Sequence, residues 1–203
     1  ELNEYYNRAY WGSINSRNFG ISMRDFRHYY LLLKLVPKFN DEKRKIINFG
    51  AGHGGLSILL NLHGHKIVNV EPSEMISLSP TNWEKKNSIS EVENKGYDLI
   101  YGSHSLEHIQ NFQNIYNIFL SLSKNNTIHF WEVPNGEYKH NGVKMNRIDI
   151  PHTYYFTEKF FQYFFKEIIY ICKNDKAFED SRPPYLDIIE CNGNSLIAVG
   201  RIN

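Results

Sequence analysis

The chain has 203 residues, with 23 Lys and Arg against 22 Asp and Glu, and a formal net charge of +1 at pH 7. This length suits one domain spanning residues 1–203, and the near-neutral charge lacks the basic excess that dominates nucleic-acid affinity, so a nucleic-acid partner is disfavoured. No apolar run is long enough to cross a bilayer, and the 2 cysteines lack disulfide or metal-ligand spacing, so we expect a cytoplasmic protein without a membrane partner. The sequence leaves the oligomeric state open.

Residues 1–40 precede the first predicted strand, and we expect them to form a helical lid. The run RDFRHYYLLLKLV at 24–36 predicts a helix that ends before Pro37. Tyr10 and Trp11 lie ahead of this helix in an aromatic-rich segment. These rings either pack on the sheet edge or cover a bound cation, because aromatic faces can hold a cation that lacks hydrogen-bond donors.

The segment from Lys45 to Pro72 is typical of a strand–turn–helix–strand unit. An apolar run predicts the first strand, a glycine-rich turn follows it, and leucines at helical spacing predict a helix before a second strand at 66–70. The glycines remove Cβ atoms from the turn, so a ligand can approach the free N–H groups of the helix N-terminus. Glu71 ends the second strand, where a carboxylate can accept two hydrogen bonds from a ribose diol. This arrangement predicts a nucleoside-binding unit.

The glycine spacing fits two nucleoside-binding templates. Gly50, Gly52 and Gly55 fit the dinucleotide fingerprint G-x-G-x-x-G, whereas Gly50, Gly52 and Gly54 fit G-x-G-x-G. The second pattern, following an apolar strand, resembles the class I S-adenosylmethionine-dependent methyltransferases; a structural turn without a ligand is the third interpretation. In that family the loop holds the methionine part of the cofactor and the acidic residue holds the ribose. The cofactor-binding residues that this resemblance implies here are Gly50, Ala51, Gly52, Gly54, Glu71 and Pro72.

A second match favours S-adenosylmethionine over a dinucleotide. The segment YDLIYGSHSLEHI at 97–109 predicts a strand and then resembles the h-D-h-h-h…h-L-E-H-h pattern that recurs in methyltransferases, where h is an apolar residue. The residues that match this pattern are Asp98, Leu99, Ile100, Leu106, Glu107, His108 and Ile109. The resemblance implies that Ser103 and His104, at the tip of the strand, lie beside the cofactor.

The adenine contacts are expected after the third strand, which we predict near residues 87–92. In the family, residues at the end of this strand contact the adenine edge, usually through an Asp. The resemblance implies that Ser88 and Ile89 make these contacts here, although this chain has no Asp at that place.

His104 and His152 are the candidate catalytic residues, each as a general base. His104 follows the fourth strand at the carboxyl edge of the sheet, where open α/β folds bind ligands, and an imidazole can accept a hydroxyl proton near neutral pH. His152 lies in a polar insertion at 134–156, which we expect to cover the substrate; anchoring of that loop is its alternative role. His104, Glu107 and His108 also spell H-x-x-E-H, but the zinc motif of that form needs a continuous helix, so we predict no metal site.

The C-terminal part predicts a helix at 157–166, a strand at 167–173 and a closing hairpin with its turn at Cys191–Asn194. A hairpin that adds an antiparallel strand is typical of the methyltransferase topology and not of a dinucleotide-binding dehydrogenase. The predicted fold is therefore α/β, with a Rossmann-like seven-stranded sheet, mostly parallel with a C-terminal antiparallel strand, and helices on both faces.

The expected function is S-adenosylmethionine-dependent methyl transfer to a small-molecule acceptor. O-methylation is favoured because the two candidate histidines can accept a hydroxyl proton. Likeness to small methyltransferases of bacterial surface-carbohydrate clusters suggests a sugar or sugar nucleotide as the acceptor. An NAD-dependent oxidoreductase and a non-catalytic cofactor-binding module of the same fold are the alternatives.

Overall fold

The computed structural model describes residues 20–73, 84–93, 96–137, 139–140, 143–144, 152–173 and 195–203. The helices in these residues are α1 (Met23–Leu35), α2 (Gly55–Leu62), α3 (Phe112–Leu122) and α4 (Glu158–Phe164). The strands are β1 (Lys45–Phe49), β2 (Lys66–Val70), β3 (Glu84–Lys86), β4 (Tyr97–Ser103), β5 (Ser123–Pro134), β6 (Lys139–His140), β7 (Val143–Lys144), β8 (Glu167–Lys173) and β9 (Ser195–Arg201). None of these described helices combines the length and the apolar character needed to cross a membrane.

Seven of the strands form one sheet in the spatial order β3-β2-β1-β4-β5-β9-β8. The first five strands in that order pair in parallel, whereas β9 pairs antiparallel with β5 on one side and with β8 on the other. Strand β9 therefore runs against all the others. This order confirms the predicted fold class, a mostly parallel sheet closed by an antiparallel C-terminal strand. Strands β6 and β7 form a separate antiparallel ribbon within the 134–156 insertion.

The helices cover both faces of the sheet. Successive side chains of a strand point to opposite sides, so each strand packs against helices on both faces. On one face, Leu32 of α1 and Leu60 of α2 belong to the same buried cluster as Ile46 of β1. On the other face, Phe119 of α3 packs in a second cluster with the next strand residue, Ile47. Apolar residues therefore dominate both faces of the central strands.

Helix α1 begins with a complete capping box. The Ser22 hydroxyl accepts from the N–H of Asp25 at 3.3 Å, and the Asp25 carboxylate accepts from the N–H of Ser22 at 2.8 Å. Gly55, the first residue of α2, lets the two helices meet, because a Cβ there would overlap the Asp25 carboxylate. The bounds of α1, Met23–Leu35, agree with the predicted 24–36 to within one residue.

The third strand differs from its prediction. We expected it near 87–92, whereas β3 is short and ends at Lys86, and a 3₁₀ turn follows at Ile89–Glu91. The apolar residues Ile89 and Val92, which suggested a strand, both reach the core from opposite ends of this turn. Ser88 caps the turn by accepting a hydrogen bond from the N–H of Ser90, so the serine-rich segment favours a turn over an extended strand.

The C-terminal prediction is confirmed for the parts that the structure describes. Thr157 caps α4 by accepting from the N–H of Phe160 at 3.3 Å. Strand β8 matches its predicted range, and β9 is the predicted antiparallel strand, paired with β5 on one side and with β8 on the other. The predicted hairpin turn at Cys191–Asn194 lies outside the described residues.

His129 of β5 makes the folded state sensitive to acid. Its ring is fully buried beside Phe119, with Nε2 at 3.0 Å from the Ser123 hydroxyl oxygen. Burial lowers the pKa of His129 from 6.5 to about 3, so the unfolded chain binds a proton that the folded chain excludes. The contribution of His129 to the free energy of unfolding is therefore complete above about pH 6.5 and decreases as the pH falls below that value. We expect this group to lower the free energy of unfolding by about 2 kcal/mol between pH 8 and pH 5.

Urea unfolding of the wild type and His129→Gln at both pH values would measure this contribution. Glutamine does not titrate, so the loss between pH 8 and pH 5 should be about 2 kcal/mol smaller in the variant. His65, whose pKa burial also lowers, affects both proteins equally and cancels in the difference. Equal pH dependence in the two proteins would contradict this assignment.

Candidate active site

The glycine loop lies at the carboxyl edge of the sheet, between β1 and α2. The backbone N–H groups of Gly50 and Ala51 both donate to the Val70 carbonyl, at 2.8 and 3.2 Å, which ties the loop to the end of β2. Gly50, Gly52 and Gly54 have φ values of 70°, 52° and 74°, a region that side chains other than glycine rarely adopt. The loop thus keeps its backbone accessible at the N-terminus of α2, as the glycine pattern predicts.

Glu71 lies directly beside this loop and is almost fully buried. One carboxylate oxygen, Oε2, accepts from the N–H of Gly52 at 2.8 Å, and the other, Oε1, accepts from the N–H of Ser73 at 3.0 Å. The structure therefore brings together the two parts of the predicted cofactor site, and Pro72, which follows Glu71, is half-buried. Each carboxylate oxygen has two lone pairs, so the capacity to accept two hydroxyl donors remains. These residues fit a nucleoside whose ribose would bind Glu71.

The predicted adenine contacts lie on the same edge, after β3. The backbone carbonyl of Lys86 accepts from the N–H of Glu71 at 2.9 Å, so the turn that carries Ser88 and Ile89 follows directly after the strand end that pairs with Glu71. Ser88 is half-buried, whereas Ile89 is buried in the core, so the turn presents mainly Ser88 and backbone. Tyr10 and Trp11, predicted to cover the cofactor, lie outside the described residues.

His104 follows β4 in a left-handed conformation with φ of 49°. Its backbone N–H donates to the Glu132 carbonyl at 2.8 Å, and its ring lies between two buried carboxylates. The Nδ1 atom is 3.4 Å from Glu107 Oε1, and Nε2 is 3.8 Å from Glu132 Oε2 and 3.4 Å from the Ser195 hydroxyl oxygen. The side chain is 28% exposed. An imidazole so placed can accept a proton from a ligand while the carboxylates stabilise the resulting charge.

Glu132, near the end of β5, is the centre of an ionic network that the sequence did not reveal. The hydroxyl of Ser103 donates to Oε2 at 2.7 Å, and the fully buried His28 has its Nε2 at 3.2 Å from the same oxygen. Arg24 and Arg27 lie 3.4 and 3.6 Å from the carboxylate. These two arginines of α1 therefore bind a carboxylate of the protein itself.

The charge of Glu132 depends on these partners. Burial alone would raise the pKa of Glu132, but His28, His104 and Arg24 together hold it well below its usual value. The ionised carboxylate therefore joins α1 to the tips of β4 and β5. An acidic residue inside the apolar run HFWEV was the sequence signal for this site, because carboxylates are rarely buried without a partner.

Glu107 brings the second candidate base into the same region. Its 3₁₀ turn at Leu106–His108 interrupts any helix after β4, so the H-x-x-E-H motif lacks the continuous helix of a zinc protease, as predicted. The His108 and His152 rings lie with their centroids 4.8 Å apart, and His108 Nε2 is 3.7 Å from Glu107 Oε1. His104 and His152, far apart in sequence, therefore belong to one cluster around Glu107.

Comparisons with known proteins agree with this architecture. A family model described as "Methyltransferase domain" matches residues 23–168. The chain resembles the structure of an S-adenosylmethionine-dependent methyltransferase from Thermotoga maritima, with a TM-score of 0.62 and 12% identity over 100% of both chains. A second such enzyme, from Archaeoglobus fulgidus, gives a TM-score of 0.61 and 15% identity over 86% of this chain and 93% of that one.

A third enzyme of the same description, from Mesorhizobium loti, gives a TM-score of 0.59 and 13% identity over 85% of this chain and 96% of that one. At these identities the likeness concerns the fold. No protein among the curated sequences matches the chain.

Proposed function

The chain belongs to the methyltransferase domain family and is an S-adenosylmethionine-dependent methyltransferase, and from this premise we propose that it methylates a hydroxyl group of a small-molecule acceptor. The family match makes the alternative of an NAD-dependent oxidoreductase wrong. We take the acceptor to be a sugar or sugar nucleotide of bacterial surface-carbohydrate synthesis, with the reaction in the cytoplasm. This choice of acceptor follows the likeness of the sequence to small methyltransferases of that pathway class.

The described residues offer a binding surface for the cofactor. S-adenosylmethionine, when bound, supplies an electrophilic methyl group on a positively charged sulfur, which the acceptor oxygen displaces in line. Glu71 would accept hydrogen bonds from the ribose, and the backbone of Gly50–Gly54 would bind the amino-acid end at the N-terminus of α2. Ser88 and the backbone of the buried Ile89 would lie at the adenine, and Ser103 at the tip of β4 would border the sulfonium.

The position of His104 is the observation that carries O-methylation. A hydroxyl loses its proton during methyl transfer, whereas an amine needs only to be neutral. The imidazole lies at the carboxyl edge, partly exposed, between the carboxylates of Glu107 and Glu132, and we assign it the role of proton acceptor. Alignment of the acceptor oxygen with the methyl group would supply much of the remaining acceleration.

The parts that would cover the site remain proposals. We propose that residues 1–40 form a lid over the cofactor and that residues 134–156 cover the acceptor. Two contacts support this arrangement. Arg24 on α1 lies beside Glu132 at the edge of the site, and Asn135, near the start of the insertion, pairs with Phe156, which ends it. His152 lies at the end of the insertion and is the second candidate base.

A screen with labelled S-adenosylmethionine would test the function. The chain would be incubated with monosaccharides, sugar nucleotides and, for comparison, primary and secondary amines, and products would be found by mass spectrometry. A product heavier by one methyl group on a sugar oxygen supports the proposal. An N-methylated product contradicts O-methylation, and methylation of a non-carbohydrate hydroxyl contradicts the sugar acceptor alone.

The role of Glu71 gives a prediction for cofactor binding. Glu71→Gln replaces an ionised acceptor by a neutral amide, and a hydrogen bond to a charged group contributes about 1.5–3 kcal/mol. We therefore expect the Kd for S-adenosylhomocysteine, measured by calorimetry, to rise by about 10–100-fold. Glu42→Gln is the matched control, because Glu42 is exposed and precedes β1 at the opposite edge of the sheet. Equal affinity of the wild type and Glu71→Gln would remove Glu71 from the cofactor site.

A further inference from the structure

The carboxylate of Glu107 is fully buried, and neither oxygen has a hydrogen-bond partner in the described part of the chain. The charged contacts of this carboxylate are the rings of His104 and His108, whose nitrogens lie 3.4 and 3.7 Å from Oε1. Buried charges in proteins are generally paired or coordinate metal ions, because an isolated charge is strongly destabilised away from water. The position of Glu107 therefore indicates a positively charged occupant.

His152 completes a possible set of ligands around this carboxylate. One ligand atom from each of Glu107, His108 and His152 lies within 4.8 Å of the other two. The Glu107 carbonyl also accepts hydrogen bonds from the N–H groups of Thr153 and Tyr154, at 2.8 and 3.2 Å. These two bonds fix the segment that carries His152 beside the 3₁₀ turn that carries the other two residues.

The distances are close to those of a metal site. Bonds of about 2.0–2.2 Å in tetrahedral geometry separate ligand atoms by about 3.4 Å. The distance between His108 Nε2 and Glu107 Oε1 is 3.7 Å, and the three ligand atoms all lie within 4.8 Å of one another. The three side chains are therefore close enough to share one ion after small adjustments of their positions.

Against the sequence-based prediction of no metal site, we propose that Glu107, His108 and His152 bind one divalent transition-metal ion. Two imidazoles and one carboxylate form a donor set that suits Zn²⁺, Co²⁺ and related ions better than Mg²⁺ or Ca²⁺, which prefer oxygen ligands. Three protein ligands leave a coordination position open. The H-x-x-E-H motif then contributes its last two residues to the site, and the third ligand comes from the insertion.

A role for this ion in methyl transfer rests on the proposed function. A divalent ion held by these three side chains would bind an acceptor hydroxyl at its open coordination position. It would lower the pKa of that hydroxyl, as metal ions do for bound water. His104 contacts the same carboxylate at 3.4 Å, so a metal-bound hydroxyl would lie near the proposed proton acceptor.

Titration with CoCl₂ would test the site directly. The full chain would be stripped with a chelator, and binding would be followed by calorimetry and by the visible absorption of Co²⁺. We expect one Co²⁺ per chain in the wild type and more than about 100-fold weaker binding in Glu107→Gln and His152→Ala, because loss of groups that merely orient ligands already costs about 10–100-fold.

His63→Ala is the matched control, because His63 lies at the end of α2 away from the cluster, and it should bind Co²⁺ like the wild type. Glu107 is buried and its variant can misfold, so circular dichroism would check the fold of each protein. His152 is half-buried, so Co²⁺ binding by His152→Ala decides the question by itself. The absence of a bound ion, or equal binding by His152→Ala, would overturn the metal site. Binding of S-adenosylhomocysteine by the metal-free chain is a separate measurement, and its failure would contradict the cofactor site instead.

Discussion

Replacing Glu132 by Gln is expected to lower the free energy of unfolding by roughly 3–5 kcal/mol, the usual effect of removing one partner from a buried ion pair. His28 is fully buried and Arg27 nearly so, and both would keep their positions beside an uncharged side chain. Arg24 is half exposed and can return to water, so we expect the lower end of this range. The measurement is urea unfolding at neutral pH.

The control for this prediction is Glu84→Gln. Glu84 is exposed on β3 and lies 3.4 Å from Lys86, and an exposed pair of this kind contributes about 0–1 kcal/mol. Both variants remove one negative charge, so a difference between them reports burial and not net charge. If Glu132→Gln unfolds at the same urea concentration as Glu84→Gln, the network does not hold α1 on the sheet.

The order of the central elements could be predicted because its signals are local. The glycine loop, the apolar strand before it and the carboxylate at Glu71 lie within 27 residues of sequence, and their spacing alone indicates the strand–turn–helix–strand unit. The position of β3 could not be predicted in the same way. Ile89 and Val92 are three residues apart, a spacing that suits a short helical turn as well as a strand with an irregularity, and packing against the core decides between them.

The charged centre of the site depends on contacts between distant residues. Glu132 binds His28 across more than 100 residues, and Glu107 lies beside His152 because of two backbone hydrogen bonds to the insertion. A single sequence shows each of these residues in a different element and does not show their partners. The left-handed backbone of His104 is also unpredictable, because it is imposed by the bond from its N–H to the carbonyl of Glu132.

His104→Asn is expected to lower kcat by about 100-fold or more while leaving the Kd for S-adenosylhomocysteine unchanged, because removal of a general base typically costs 10²–10⁴-fold. Asparagine is the best replacement here, since it tolerates a positive φ and still forms hydrogen bonds, but its amide does not accept a proton near neutral pH. The rate would be measured with the acceptor found in the methyl-donor screen, and the affinity by calorimetry.

The separation of rate from affinity is what distinguishes a base from a structural residue. His104 also contacts the carboxylates of Glu107 and Glu132, so a purely structural role predicts that His104→Asn loses stability and cofactor affinity together with activity. His63→Asn, at the end of α2, is the matched control and should change neither quantity. A rate for His104→Asn within a few-fold of the wild type would remove His104 as the base. The same pair of measurements on His152→Asn would then test the second candidate, provided that the Co²⁺ titration has excluded His152 as a metal ligand.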